Sequence, residues 1–104
     1  MTDEDRTQLQ KDVLYDEYLV RKEYGEYLAK IEMAEERLRD LHEAFSEHIA
    51  IFRGVMKPEQ CEKGDYRKYI VNFEDLEKSF DRLIELGKRL TAISERKKLL
   101  GLGV

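Results

Sequence analysis

A regular spacing of apolar residues between Val20 and Val55 constrains the fold of this chain more than any other feature. We call this series the seam. Its members recur in alternating steps of four and three, and all but one are apolar: Val20, Tyr24, Tyr27, Ile31, Ala34, Leu38, Leu41, Phe45, His48, Phe52 and Val55. The residues between them are mostly charged. A 3.5-residue repeat sustained over about five heptads is typical of a helix in a left-handed coiled coil.

The seam belongs to a long predicted first helix. The chain has one proline, Pro58, and a residue that precedes proline disfavours helical geometry, so the helix is expected to stop near Met56. Gly25 falls away from the seam and costs about 1 kcal/mol relative to alanine, which weakens a helix without ending it. The sequence therefore predicts one helix over residues 3–56.

The alternative is a break near Gly25, which would give a three-helix bundle. Such a break leaves only about one residue for the reversal, whereas helix–helix loops usually have about 2–5 residues. The uninterrupted helix is therefore the favoured interpretation.

A second helix is predicted over residues 66–99, after a turn over residues 57–65. Asp65 can cap it, and the apolar steps of four and three continue from Tyr69 through Phe73, Leu76, Phe80 and Leu83. Asn72 is an alternative cap, which would leave residues 69–71 extended, but the apolar phase argues against it.

Two helices joined by a short turn predict an all-α antiparallel hairpin, here a single domain spanning residues 1–104. Charge supports this arrangement, because residues 1–50 carry 14 acidic and 7 basic side chains (−7), whereas residues 51–104 carry 9 and 12 (+3). Counting outward from the predicted turn puts the basic region around Lys97 beside Glu23.

The predicted helices differ in length, at ~80 Å against ~50 Å, so the start of the first should lack a partner within the chain. That start is apolar at Leu9, Val13, Leu14, Tyr15, Tyr18 and Leu19. Because an exposed apolar patch usually marks an interface, these residues are the predicted contact with a partner or a second copy. A homodimer is favoured, since two-fold dimers are the commonest oligomers.

No arrangement of residues in the sequence points to catalysis, a cofactor or a metal. His42 and His48 stand six residues apart and lie on different faces of a helix, unlike the two histidines of zinc metalloproteases. The single cysteine, Cys61, has mixed charges nearby and no histidine close in sequence. We therefore expect the protein not to be an enzyme. His48 is interpreted as a half-buried core histidine or as a polar seam residue that specifies register and oligomer state.

These observations predict a non-enzymatic interaction module (adaptor, regulator or assembly subunit) that presents an acidic, tyrosine-bearing helical surface to a protein partner. The alternative is an acidic inhibitor that fills a basic, nucleic-acid-binding groove of its target. It depends on Asp16, Glu17, Glu23, Glu26, Glu32, Glu35, Glu36, Asp40, Glu43 and Glu47.

The sequence predicts no membrane partner for this chain, and nucleic acid is a disfavoured partner. The basic run Arg96–Lys98 is short and the protein as a whole is acidic. The sequence has no apolar run long enough to span a membrane, its acidic first residues lead us to expect no signal peptide, and one cysteine permits no internal disulfide. A cytoplasmic location is therefore expected.

Overall fold

Two long helices lie antiparallel in the computed structural model, which describes residues 2–102. Helix α1 spans Asp3–Phe52 and helix α2 spans Phe73–Leu99, with 3-10 turns at Pro58–Gln60 and Tyr66–Tyr69 between them. The predicted all-α hairpin is confirmed. The three-helix alternative is wrong, because Gly25 lies inside an unbroken α1.

Helix α1 is defined by local signals at both ends. Thr2 and Asp5 form a capping box, in which each side chain accepts a hydrogen bond from the backbone N–H of the other residue. At the far end, Gly54 has a φ of +77°. The Gly54 N–H donates to the carbonyl of Ile51 and the Val55 N–H donates to that of Ala50, which is a Schellman motif. The helix therefore ends at Phe52, and the predicted end near Met56 is wrong.

The connection between the helices, residues 53–72, is longer than predicted because α2 starts late. The side-chain oxygen of Asn72 accepts hydrogen bonds from the N–H groups of Glu74 (3.1 Å) and Asp75 (3.2 Å), which caps α2. Asp65 instead caps the 3-10 turn Tyr66–Tyr69. The predicted helix start at residue 66 is wrong, and the Asn72 alternative is the one the structure adopts.

The register of the hairpin follows from this longer connection. The Gln10 side-chain amide donates to the Leu100 carbonyl at 2.7 Å, and Lys97 lies beside Glu17 rather than Glu23. Helix α2 thus reaches the start of α1. The expectation that the start of α1 lacks a partner is wrong, and it is the last part of α1 that extends beyond α2.

The core lies along the part of the seam that faces α2. Val13, Val20, Leu86 and Ile93 are buried, and Tyr24, Tyr27, Leu90 and Leu100 pack against them. Seam residues from Val20 to Leu41 are buried or half-buried, as predicted. The last apolar members of the seam, Phe45, Phe52 and Val55, are exposed because α2 does not extend that far, although the Phe45 ring lies 5.4 Å from that of Tyr66 in the connection.

The hairpin is one helix thick. Its principal extents are 78 × 21 × 16 Å, and its radius of gyration is 22.9 Å, whereas a compact domain of about 100 residues has a radius near ~13 Å. Within residues 2–102, each long helix therefore packs against a single other long helix, and the molecule has two broad faces open to solvent.

Candidate protein-interaction surface

The two broad faces of the hairpin differ in chemistry, and one of them is charged. On this charged face, Arg82 donates to the Glu23 carboxylate (Nε to Oε1, 2.7 Å), and Arg96 lies 3.5 Å from Asp16. With the buried seam residues of each helix at heptad positions a and d, all four residues occupy g positions, which flank the seam on one side. Hydrogen bonds to Glu23 and to Glu85 raise the pKa of the Arg82 guanidinium.

These ion pairs fix the direction of the helices more than they add stability. Exposed pairs contribute little because water and salt screen them, but like charges at facing g positions would oppose the observed register. Lys97 and Glu17, 3.1 Å apart and mostly shielded from solvent, add a third bridge between the helices. The unequal charge of the two halves of the chain is thus partly used inside the hairpin, as predicted.

The opposite face carries large apolar side chains instead of ion pairs, and we call it the apolar face. Its members occupy heptad positions e and b, on the other side of the seam from the g positions. They are 39% to 65% exposed in the single chain: Leu14, Tyr18 and Leu28 on α1, and Phe73, Phe80 and Ile84 on α2. Counting from the Gln10–Leu100 contact, Phe80 and Ile84 lie level with Leu28, and these three side chains form the centre of the apolar face.

The structure does not bring the six predicted interface residues together. Val13 is fully buried against α2 and is not available to a partner, which corrects that assignment. Leu14 and Tyr18 lie on the apolar face. Tyr15 is exposed on the outer side of α1, away from α2, whereas Leu19 lines a groove between the helices on the charged face and Leu9 lies at the edge of that face.

His48 lies where the connection crosses α1. Its Nδ1 is 2.8 Å from the Ala44 carbonyl, so this nitrogen carries the proton and donates. Its ring meets that of Tyr66 edge-on, with the centroids 6.0 Å apart, and the side chain is half-buried. Within the chain His48 thus packs against the connection rather than against a second helix, and its predicted role in oligomer specificity remains a prediction.

The connection is anchored to the outer side of α1 by a cluster of charges. Lys63 Nζ lies 2.9 Å from Asp40 and 3.2 Å from Glu43, and these two hydrogen bonds raise the pKa of the lysine. The Glu47 carboxylate accepts hydrogen bonds from the N–H groups of Glu62 and Lys63. Asp40, Glu43 and Glu47, which the sequence analysis placed on a partner-binding acidic surface, therefore hold the connection against α1.

Cys61 is not activated as a nucleophile. Partial burial and the neighbouring Glu47 carboxylate raise the pKa of its thiol, and both effects disfavour the reactive thiolate. Its sulfur instead lies 3.9 Å from that of Met56. Among residues 2–102, no group of three or more His, Cys, Asp or Glu side chains is arranged to hold a metal ion.

The apolar face was missed from the sequence because the seam is the stronger periodic signal. The predicted apolar steps of α2 included Phe73 and Phe80, which is wrong: both are exposed at e positions, and Ser79 is buried in their place. The two phenylalanine side chains widen the apolar stripe of α2 beyond what one partner helix covers.

Within residues 2–102, no helix has the length and apolarity needed to cross a membrane. The chain matches no known protein family, and comparison with curated proteins and with solved structures finds no significant similarity.

Proposed function

We propose that this chain is a non-enzymatic helical module for protein–protein interaction, which acts as an adaptor, regulator or assembly subunit and associates with copies of itself. The observation that carries the proposal is the distribution of large apolar side chains. Among residues 2–102, seventeen of them are exposed, whereas five hydrophobic residues are buried. Isolated exposed apolar residues are common, but several large ones at one level of one face, as at Leu28, Phe80 and Ile84, are typical of an interaction site.

The tyrosines support the same function. Tyr18 is part of the apolar face, and Tyr15 is exposed one helical turn away. Tyrosine is favoured at interfaces because it combines a large apolar area with a hydroxyl that hydrogen-bonds, and it has few rotatable bonds to immobilise. We therefore place the tyrosine-bearing part of the surface near the start of α1.

The acidic surface contributes less than its composition suggests. Seven of the ten carboxylates assigned to the acidic inhibitor already have partners within the chain: Asp16, Glu17, Glu23, Glu35, Asp40, Glu43 and Glu47. The basic side chains of a target groove would have to compete with these internal contacts for the same carboxylates. The apolar face, which nothing in the hairpin covers, is thus the stronger basis for binding.

Co-purification from the native host tests the proposal. A tagged chain is expressed together with an untagged copy, and the retained proteins are identified by mass spectrometry. We expect a specific protein or the untagged copy to be retained, and Ile84→Ser to reduce that retention. The matched control is Met33→Ser, which changes a similarly exposed apolar side chain on the outer side of α1.

The proposal would be overturned if nothing specific were retained, or if the two variants behaved alike. Salt distinguishes the proposed function from the acidic-inhibitor alternative, because electrostatic contacts weaken strongly by about 0.5 M salt, whereas apolar packing persists.

We expect the chain to be located in the cytoplasm, because its single cysteine cannot form a disulfide within the chain and cytoplasmic proteins rarely have disulfides. Fractionation of the host cells tests that location.

A further inference from the structure

Helix α1 continues beyond the start of α2. The Arg37 side chain donates a hydrogen bond to the Ile70 carbonyl (3.5 Å), three residues before α2 begins at Phe73. Residues 38–52 of α1 therefore extend past α2 over about four turns, or ~22 Å. In the described part of the chain, no α-helix lies opposite these turns. We call residues 38–55, which include the end of α1, the overhang.

Large apolar side chains form a stripe along the overhang. Phe45 and Phe52 continue the seam, Ile49 lies between them, and the steps of four and three place all three on one side of α1. The Phe45 ring contacts Tyr66 of the connection, yet the three side chains remain 47%, 48% and 86% exposed in the order Phe45, Ile49 and Phe52. An apolar stripe with this spacing is the surface against which an amphipathic helix packs.

A groove beside the stripe has room for a side chain of such a helix. It has a volume of about 310 Å³ and is lined by Ser46, Ile49, Ala50, Arg53 and Val55. Val55 is itself 78% exposed, so the apolar surface continues past the end of α1. Because pockets that hold small ligands begin at ~300 Å³, the groove can receive one large apolar side chain as an anchor.

The charges next to the stripe favour an acidic partner. The two carboxylates of residues 42–55, Glu43 and Glu47, are held by the connection, through the Lys63 ammonium group and through backbone N–H groups. Arg53 lines the groove and forms no ion pair within the described residues. Complementary charge across an interface selects the partner, so carboxylates beside the apolar residues of a partner helix fit this site.

A second copy of the overhang fits this site less well than an acidic helix does. In an antiparallel pair of helices the same edges lie side by side, as the g positions of α1 and α2 do in the hairpin. Two overhangs paired in this way would bring the edge that carries Arg53 next to the same edge of the other chain. Like charges at an interface oppose binding.

We propose that the overhang binds an acidic amphipathic helix of a partner protein, which packs along α1 beyond the start of α2. The large apolar residues of the partner cover the stripe, one of them enters the groove, and its carboxylates lie near Arg53. The ~22 Å of exposed helix correspond to about 15 residues of the partner. The inference rests on the proposed interaction function, and it names a second surface and the class of its partner.

Peptide binding to the full chain tests the inference. The probe is a dye-labelled synthetic helix of about 18 residues, with leucine at heptad positions a and d and glutamate at the flanking e and g positions. One control peptide has lysine in place of glutamate, and another has the composition of the probe with its leucines spread around the helix. Fluorescence anisotropy at low salt measures each Kd. We expect the probe to bind with a Kd below ~100 µM and at least about tenfold more tightly than either control.

Two pairs of variants locate the binding site. Phe52→Ser should raise the Kd of the probe at least about fivefold, whereas Leu99→Ser, which changes an equally exposed side chain at the far end of the hairpin (85% against 86%), should leave it within about twofold. Arg53→Gln should raise the Kd by about two- to fivefold, and Arg21→Gln, near the other end of α1, should not. Circular dichroism verifies that the helicity of each variant is unchanged.

Several results would overturn the inference. One is a probe that does not bind at ~200 µM chain, and another is equal binding of the three peptides. A third is a Phe52 variant that binds the probe as the wild type does while Ile84→Ser does not, which would place the peptide on the apolar face. Self-association of the wild type in sedimentation equilibrium that Phe52→Ser abolishes would show that a second copy covers the overhang instead.

Failure of this inference can be told apart from failure of the proposed function. The co-purification experiment depends on Ile84 and detects any bound protein, including the untagged copy. A chain that retains a protein through Ile84 but does not bind the acidic probe keeps the proposed function and loses only the site on the overhang.

Discussion

The ammonium group of Lys63 lies 2.9 Å from the carboxylate of Asp40, and this ion pair joins the connection to the outer side of α1. The two residues are 23 positions apart, and Glu43 binds the same lysine from the next helical turn. The connection is therefore held along α1 instead of forming a free loop, and its length sets where α2 begins.

Replacing Lys63 with methionine should loosen the connection and leave the core intact. The variant keeps the length of the side chain and removes the charge that binds Asp40 and Glu43. We expect amide hydrogen exchange in residues 62–69 to become severalfold faster, with little change around Leu86. Arg39→Met is the matched control, since the ion pair that Arg39 forms in the described part of the chain is with Glu35 on its own helix. Equal exchange in the wild type and the Lys63 variant would show that the ion pair does not restrain the connection.

Leu86 should be the most sensitive core position of α2, because its side chain is fully buried between the helices. Leu86→Ala removes buried methyl groups and leaves a cavity, so we expect a loss of about 2–5 kcal/mol in the free energy of unfolding. Leu99→Ala, on an exposed side chain of the same helix, should stay within about 0.5 kcal/mol of the wild type. Urea denaturation followed by circular dichroism measures both, and similar losses would mean that the core is elsewhere.

Gly25 lies inside α1 and Gly54 follows its end, and replacing each of them with alanine should change the stability in opposite directions. Gly25 is helical, and a methyl group added there would meet no neighbouring atom within 4 Å, so Gly25→Ala should stabilise the protein by about 0.5–1 kcal/mol. Gly54 has a φ of +77°, which an alanine adopts at a cost of roughly 1–2 kcal/mol, so Gly54→Ala should be destabilising. Thermal unfolding compares the two. A destabilising Gly25→Ala would contradict a continuous α1.

Asp65 should make stability depend on pH below about 5. Hydrogen bonds from the Arg67 side chain and backbone N–H lower the pKa of this carboxyl to about 2, whereas its value in the unfolded chain is about 3.9. The unfolded chain therefore binds the proton first, and the contribution of Asp65, complete above the unfolded pKa, is lost as pH falls towards about 2. Asp65→Asn should be less stable than the wild type at pH 7 and should lose less stability between pH 5 and 2. Parallel pH–stability curves for the two proteins would exclude the effect.

The hairpin could be predicted from the sequence because its main signals are local and periodic. The absence of proline before Pro58 and the apolar steps from Val20 to Leu41 follow directly from how a helix buries one side. The direction of the helices could also be predicted from charge, since the acidic first half needs the basic second half beside it.

The helix ends and the register were not predicted correctly, for two physical reasons. Gly54 ends α1 through its left-handed conformation, whereas the rule for residues before proline places the stop later, near Met56. Asn72 and Asp65 are both good caps, and Tyr69 continues the apolar phase although it belongs to a 3-10 turn, where its hydroxyl donates to the Lys63 carbonyl. Those errors shortened the predicted connection, which in turn moved every predicted contact between α1 and α2.

The contact of Arg6 and Gln10 with the Leu100 carbonyl places the two ends of the described chain side by side. A mechanical load applied through Thr2 and Leu102 would therefore pull the helices apart at one end. It would open the contacts one after another towards the connection, an unzipping geometry that breaks few interactions at a time. The hairpin should yield to much lower forces in this direction than when it is pulled along its 78 Å length.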